Sequence, residues 1–336
     1  MKKLMGLLLT AALLTGLLAG CAGTPAENSS TSTPESTPAT TQTSTLEPSE
    51  SEEAAFPRTY VDATGAEIVI EKQPERIAVL HFSSIEVLYA LGITPVAAVG
   101  AEASNANIAL EPLSDAGIID LGAFASPSLE KLVEAELDLI IAISSSHGEI
   151  WAELEKIAPV VEIKNYGTGV DIRASLREYG ELTGREEEAE NLIEQQNIKF
   201  AEAHEKLALL DETIVTLYGF ADGKTGGAYG WQTQNVAVFY DTEFGLGLKA
   251  PEKLSDDYAQ LDLEGLAEIN PDHIFIQATQ EEYDQRITEL AKSTVWNSLN
   301  AAKNEQVYRI ESAMTAAGPL GNLLLADYMV ETLLNE

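Results

Sequence analysis

The chain has 336 residues, room for about two domains with real cores. Its 54 acidic against 20 basic residues give a formal net charge of −34, which argues against nucleic acid and against a basic patch on anionic membrane as partners; most of these carboxylates read as a solvated surface. A single cysteine excludes any internal disulfide and any thiolate metal cluster.

That cysteine has a particular place. Lys2 and Lys3 precede an apolar run from Leu4 to Leu18, then Leu18-Ala19-Gly20-Cys21. A basic start, an apolar middle and small residues before a cut describe a secretory signal, too short for a membrane span. The stretch resembles the bacterial lipobox, which implies cleavage after residue 20 and a diacylglycerol on Cys21; an uncleaved anchor is the alternative. Residues 21–55 are nearly all Ser, Thr, Pro, Ala and Glu beyond the cysteine. They cannot bury enough apolar surface to offset ordering entropy, so a disordered tether is expected, of a length that suits a Gram-positive surface.

Folded sequence is expected from Phe56. Arg58 to Ile70 reads as a hairpin turning at Ala63-Thr64-Gly65. Strands follow at Arg76 to His81, Pro95 to Gly100, Ile119 to Gly122, Leu139 to Ser144 and Val160 to Lys164. Helices alternate with them at Ser83 to Leu91, Asn105 to Ala116, from Ser128, at Gly148 to Ile157 and at Asp171 to Leu182. Apolar strands alternating with helices imply a parallel, helix-covered sheet.

Arg185 to Leu210 is then one long helix without Pro or Gly, roughly 40 Å at its full length. Leu192, Ile193, Gln196, Phe200, Ala203 and Leu207 mark a single stripe along it. It reads as a strut between two lobes, the alternative being a long surface helix within one domain. Beyond it come a strand at Thr213 to Tyr218, a glycine-rich hairpin around Asp222 to Gly230, a helix at Gln232 to Phe244 and a further helix from Asp262. A strand at His273 to Gln277, a helix at Tyr283 to Leu299, a strand at Val307 to Ile310 and a terminal helix at Gly318 to Leu334 complete the chain. The expected fold is α/β, two small parallel-sheet lobes joined by one long rigid α-helix with a ligand cleft between them. The boundaries are 1–20 for the signal, 21–55 for the tether, 56–182 and 211–336 for the lobes, and 183–210 for the linking helix.

The stretches Ser128 to Ile143 and Asp262 to Gln277 can be laid over each other without gaps. They match at Leu129/Leu263, Glu130/Glu264, Leu132/Leu266, Glu134/Glu268, Asp138/Asp272 and Ile140/Ile274. One helix–turn–strand unit used once per lobe is what a duplicated architecture shows; chance similarity of two generic units is the alternative.

Several stretches in order resemble the substrate-binding lipoproteins of bacterial ABC importers for iron–siderophore complexes, a class that includes vitamin B12 and haem binders. They are Asp62 to Gly65, Pro74-Glu75-Arg76-Ile77, Ser84 to Leu88 with Leu91-Gly92, Ser128 to Leu132 before Asp138 to Ile141, and Ile157-Ala158-Pro159. Leu182-Thr183-Gly184, Leu263-Glu264 with Pro271-Asp272, and Trp296, Leu299, Lys303-Asn304 and Val307-Tyr308 continue the series. The resemblance implies two α/β lobes on one long helix, no enzyme activity, no intrinsic cofactor, and a ferric siderophore as ligand. It places Glu130 and Glu264 where the family pairs with permease arginines; the alternative for each is a carboxylate favoured by its helix dipole. Ligand contacts are expected on loops at the sheet edges: His81-Phe82-Ser83, Ser144 to His147 with Trp151, and Tyr166 to Arg173. In the second lobe Tyr229, Trp231 and Tyr240 resemble a segment of hydroxamate-siderophore binders. Core packing is the alternative for each aromatic.

The family segment often carries an arginine after the tryptophan, where this chain has Gln232-Thr233-Gln234-Asn235. With only Arg173, Lys224 and Lys164 as candidate cations, a neutral or cationic hydroxamate complex is easier to hold than an anionic catecholate. Haem or cobalamin is the alternative cargo. His81 and His147 are polar lining or, less readily, metal ligands; His204 and His273 read as structural. A bare zinc or manganese binder would need about three histidines and a carboxylate converging, and the four present are scattered. An enzyme on the same scaffold is the rival class, but the chain has no G-x-S-x-G elbow, P-loop or H-E-x-x-H. An adhesion or signalling module is the third reading. The expected protein is a monomeric receptor, lipid-anchored on the extracytoplasmic face, serving a permease dimer and its ATPase.

Overall fold

In the computed structural model the described residues are 56–101, 109, 113, 115–164, 172–315 and 318–334. Cys21, the signal, the tether, Tyr166 and most of the helix expected at 105–116 lie outside them.

The hairpin pairs β1 (Arg58–Val61) with β2 (Glu67–Ile70). Its turn closes on the Asp62 carboxylate, which accepts from Thr64 N at 2.8 Å and Ala66 N at 3.0 Å. The other Asp62 oxygen accepts from Glu162 N at 3.2 Å, fastening the hairpin to the first sheet.

That sheet holds β3 (Ile77–Val79), β4 (Ala97–Ala98), β5 (Ile119–Asp120), β6 (Leu139–Ile141) and β7 (Val160–Val161) in the order β5-β4-β3-β6-β7, every pairing parallel. Successive side chains face opposite ways, so Ile77, Val79, Leu139 and Ile141 enter one core while Ala78, Leu80, Ile140 and Ala142 enter another. Burial on both faces explains why these strands are unbroken apolar runs. Helices α1 (Ser83–Ala90), α2 (Leu129–Glu134), α3 (Ser144–His147) and α4 (Trp151–Leu154) complete this part of the lobe. Of the helix expected at 148–157 only α4 is α-helical, behind a 3₁₀ turn at Gly148–Ile150 that follows the unexpected α3.

Helix α5 (Ile172–Thr183) turns at Gly184 into α6 (Glu186–Leu207), a helix of 22 residues. Its apolar stripe is divided between two cores. Ala189, Leu192 and Ile193 pack with the first lobe, and Phe200, Ala203 and Leu207 with the second. Glu186, Glu187 and Glu188 in its first turn and Lys206 in its last suit the helix dipole.

The second sheet differs from the expectation. Its order is β10-β9-β8-β11-β12, with β8 (Ile214–Gly219), β11 (His273–Gln277) and β12 (Val307–Ile310) parallel. Strand β9 (Thr225–Ala228) and the edge strand β10 (Ala259–Asp262) run antiparallel, so this lobe's sheet is mixed. Strand β10 is invisible in the sequence because none of its residues is fully buried. The helix expected at 232–244 is only α7 (Ala237–Tyr240). The Asp241 carboxylate ends it by accepting from Glu243 N and Phe244 N at 2.9 and 2.6 Å. Helices α8 (Leu263–Ile269), α9 (Gln280–Leu290), α10 (Asn300–Lys303) and α11 (Pro319–Leu334) follow. A capping box of Thr279 and Glu282 starts α9 before the expected residue.

The two matching units occupy equivalent slots: α2 leads to β6 beside β3, and α8 leads to β11 beside β8. Asp138 accepts from Arg76 N at 2.9 Å and Asp272 from Thr213 N at 2.9 Å, so each aspartate ties down the residue just before its lobe's first parallel strand. Each helix is followed by a left-handed residue, Glu136 at φ 49° and Asn270 at φ 43°. Glutamate is poorly suited to that region. Glu136→Gly should therefore raise unfolding free energy by roughly 0.5–1 kcal/mol in urea titration, and an unchanged midpoint would refute this.

Candidate functional site

In the first lobe the chain leaves β3 at Leu80 and enters α1 at Ser83, leaving His81 and Phe82 at the C-terminal end of the central strand. Ser83 N donates to His81 Nδ1 at 3.3 Å, which puts the proton of the neutral ring on Nε2. Phe82 stacks on the ring at 4.3 Å and Phe124 meets it edge-on at 5.2 Å. Burial, with His147 nearby, pulls the His81 pKa down to about 4 from its usual 6.5. A histidine held neutral in the fold destabilises it where the unfolded chain binds the proton. The His81 contribution is therefore fully present above about pH 6.5 and lost as pH falls towards about 4. Chemical denaturation at pH 7 and 4.5 should show wild type losing more stability than His81→Gln, and equal losses would sink the assignment.

His147 is not a cleft ligand. It is 1% exposed; Ile143 N donates to its Nδ1 at 3.2 Å, and its Nε2 donates to the Phe124 carbonyl at 2.8 Å. With both ring nitrogens satisfied by backbone, it holds the Phe124 loop in place. Trp151 is half-buried, packs on the first lobe's core and donates to Glu155 Oε1 at 3.2 Å. The Arg173 guanidinium lies 3.4 Å over the Phe244 ring, an inter-lobe contact beside Gln196 and Phe200 of the linking helix.

In the second lobe Tyr229 stands at the head of a cluster. Tyr218 lies 4.8 Å from its ring and Tyr258 5.6 Å, edge-on. The Tyr229 hydroxyl donates to Gln277 Oε1 and that of Tyr258 to Asn235 Oδ1. Thr315 joins both amides, its Oγ1 accepting from Gln277 at 2.9 Å and its carbonyl from Asn235 at 2.6 Å. Burial, then Tyr258 and Tyr218, push the Tyr229 phenol up to about 12, so it acts as a neutral donor rather than a phenolate.

Trp231 follows after Gly230 and is 40% exposed. Its backbone N–H donates to Ser255 O at 3.1 Å and Gln232 N to Asp256 O at 3.0 Å. This approach is so close that a Cβ on Gly230 would fall 2.2 Å from Asp257 O, so Gly230 lets a fixed backbone present an exposed indole. Tyr240 is instead a core residue: it is buried in the second lobe's cluster and its hydroxyl donates to Ile214 O at 2.9 Å.

Sequence reasoning missed Tyr218, Tyr258, Asn235 and Gln277. Only Tyr218 carried a signal, as a polar-tipped aromatic near the end of an apolar strand. The candidate cations stand elsewhere: Lys164 is 5.4 Å over the Tyr60 ring, and Lys224 lines a groove with Asp222, Glu264, Glu289 and Lys292. Among the described residues no group of three or more His, Cys, Asp and Glu could hold a metal ion. Glu130 and Glu264 are exposed, each at the second position of its helix behind a capping Ser128 or Asp262.

A model of the periplasmic binding protein family matches residues 77–314. The chain is 24% identical over 254 residues to the putative ABC transporter substrate-binding lipoprotein YhfQ of Bacillus subtilis, covering 73% of this chain and 78% of that one. It is 29% identical to the iron(3+)-hydroxamate-binding protein FhuD of the same organism, covering 74% and 78%. Among solved structures, Staphylococcus aureus SirA complexed with staphyloferrin B superposes with a TM-score of 0.67 at 23% identity, covering 82% of this chain and 98% of that one.

Proposed function

We propose, from the premise that this chain belongs to the periplasmic binding protein family, that it is a receptor that captures a ferric siderophore and delivers it to an ABC importer. The family is one of binding proteins rather than enzymes. The names of relatives that bind ferric hydroxamate or carry a siderophore support the cargo. The observation that carries the ligand class is the uncharged cluster of Tyr218, Tyr229, Tyr258, Asn235 and Gln277, with the exposed Trp231 two residues along the chain from Tyr229. Aromatic faces and amide groups suit a neutral chelate with an apolar periphery. A triply anionic catecholate complex would need nearby cations, and a chain of net charge −34 repels it at long range. Hydroxamate complexes fit these constraints best.

The lipobox-like stretch before Cys21, and relatives named as lipoproteins, support a receptor held by lipid on the extracytoplasmic face of the cell membrane. Glu130 and Glu264, one per lobe on matching helix turns, are the proposed contacts to a permease dimer powered by its ATPase. Residues 56–182, 183–210 and 211–336 are the proposed first lobe, linking helix and second lobe.

Tryptophan-fluorescence titration of the mature chain against ferrioxamine B, a ferric tris-catecholate, ferric citrate, haem and cobalamin tests the reading. Saturable quenching by ferrioxamine at sub-micromolar concentration is the expected result. Preference for another compound in the panel would replace the ligand class, and silence throughout would remove the receptor reading.

A further inference from the structure

The linking helix is not the sole connection between the lobes. Helix α1 belongs to the first lobe and buries Ile85, Val87 and Leu88 there. Between them stands Glu86, a carboxylate only 3% exposed. Its Oε1 accepts from Leu320 N at 2.9 Å and Gly321 N at 2.8 Å. These are the second and third residues of α11, which opens on Pro319, runs 16 residues and packs Leu325, Ala326, Met329 and Val330 into the second lobe. The first N–H groups of a helix have no partner within it and carry the positive end of its dipole. A side chain of one lobe thus completes the last helix of the other.

The surroundings are shaped for that contact. A Cβ on Gly318 would lie 2.2 Å from the Glu86 carboxyl atoms, and one on Gly321 would lie 2.1 Å from Ala313 O. Midway along the linking helix, the buried Gln196 donates to Pro319 O at 2.7 Å. One element from each lobe and the helix between them therefore meet at the first turn of α11. Apolar packing alone tolerates sliding. A buried carboxylate does not, because displacing it strands both the charge and the two donors.

We infer that Glu86 is a positioning residue, an inter-lobe latch that holds the two lobes in one relative orientation and so sets the spacing of the ligand-binding walls. The consequence for ligand rests on the receptor reading above: walls held in place lose less freedom when they close on a chelate, so loss of the latch should speed its release. The orientation itself needs no ligand.

Pulsed electron–electron distance measurements test this in the chain with Cys21→Ser and spin labels at Glu71→Cys and Gln285→Cys, exposed sites on opposite lobes. The expected result is a single narrow distance distribution that broadens or shifts with Glu86→Ala and does so less with Glu86→Gln, whose amide oxygen still accepts. Gly318→Ala should disturb the distribution when Glu86 is present, because the methyl takes the carboxylate's place, and add nothing in the Glu86→Ala background. Unchanged distributions in folded Glu86→Ala and Gly318→Ala, or an equal Gly318→Ala effect in both backgrounds, would overturn the latch. If Glu86→Ala does not fold, Glu86→Asp, whose shorter side chain draws the carboxylate back from Gly318 and from the Leu320 and Gly321 N–H groups, takes its place in the same comparison with Gly318→Ala. A moved distribution with unaltered ferrioxamine release supports the latch and removes only its link to ligand.

Discussion

Trp231→Ala is expected to weaken capture of a ferric hydroxamate by roughly thirtyfold, the equivalent of about 2 kcal/mol. The indole is 40% exposed although the backbone on either side of it is clamped to Ser255 and Asp256. An exposed aromatic on a fixed backbone has apolar area to bury and little freedom left to lose when a ligand covers it. In the same lobe Tyr258 is 51% exposed and meets Tyr229 edge-on at 5.6 Å, offering a second exposed aromatic face. Calorimetric titration with ferrioxamine is the right measurement, since the substitution also removes a fluorophore. Tyr240→Phe provides the contrast: it deletes a core hydrogen bond to Ile214 O, costing about 1 kcal/mol of stability and leaving affinity unchanged. An unaltered affinity in Trp231→Ala, or a weakened one in Tyr240→Phe, would move the site elsewhere.

The second large effect is on delivery. Glu130→Ala combined with Glu264→Ala should leave ferrioxamine affinity at the wild-type value and reduce radioactive iron uptake by roughly two orders of magnitude, about tenfold for each carboxylate removed. Both side chains project into solvent from the first turn of a helix capped by Ser128 or Asp262. Among the described residues neither makes a side-chain hydrogen bond or ion pair that would explain its place, so substitution should cost the fold little. Charges held on rigid turns of two separate lobes fix register as well as attraction, so the single variants should be intermediate. Raising ionic strength should weaken docking in the wild type more than in the double variant. Normal uptake by the double variant would end the docking assignment.

The linking helix shows how far pattern reading reaches. The stripe Leu192, Ile193, Gln196, Phe200, Ala203 and Leu207 is legible from spacing, and it is the face that the structure buries. The Asp138/Asp272 match is legible as a repeat, but its reason, two aspartates each holding the entry to a strand, is not. Local chemistry was misread where short-range hydrogen bonds override helical composition. Asp241 cuts the helix expected at 232–244 down to Ala237–Tyr240.

The sequence by itself determined the elements whose periodicity is strong: apolar strands, the strut and its two-lobed context, and the paired helices that carry Glu130 and Glu264. Their spacing is written in neighbouring residues, so no distant contact is needed to recognise them. Only the tertiary structure decided the fate of individual polar and aromatic side chains. It made Tyr240 core and Trp231 surface, satisfied His147 with backbone, assembled Tyr218, Tyr229 and Tyr258 into one wall, and set Glu86 against backbone 234 residues away. Burial and hydrogen-bond partners belong to pairs of positions, and when those positions are far apart in the chain no local pattern records them.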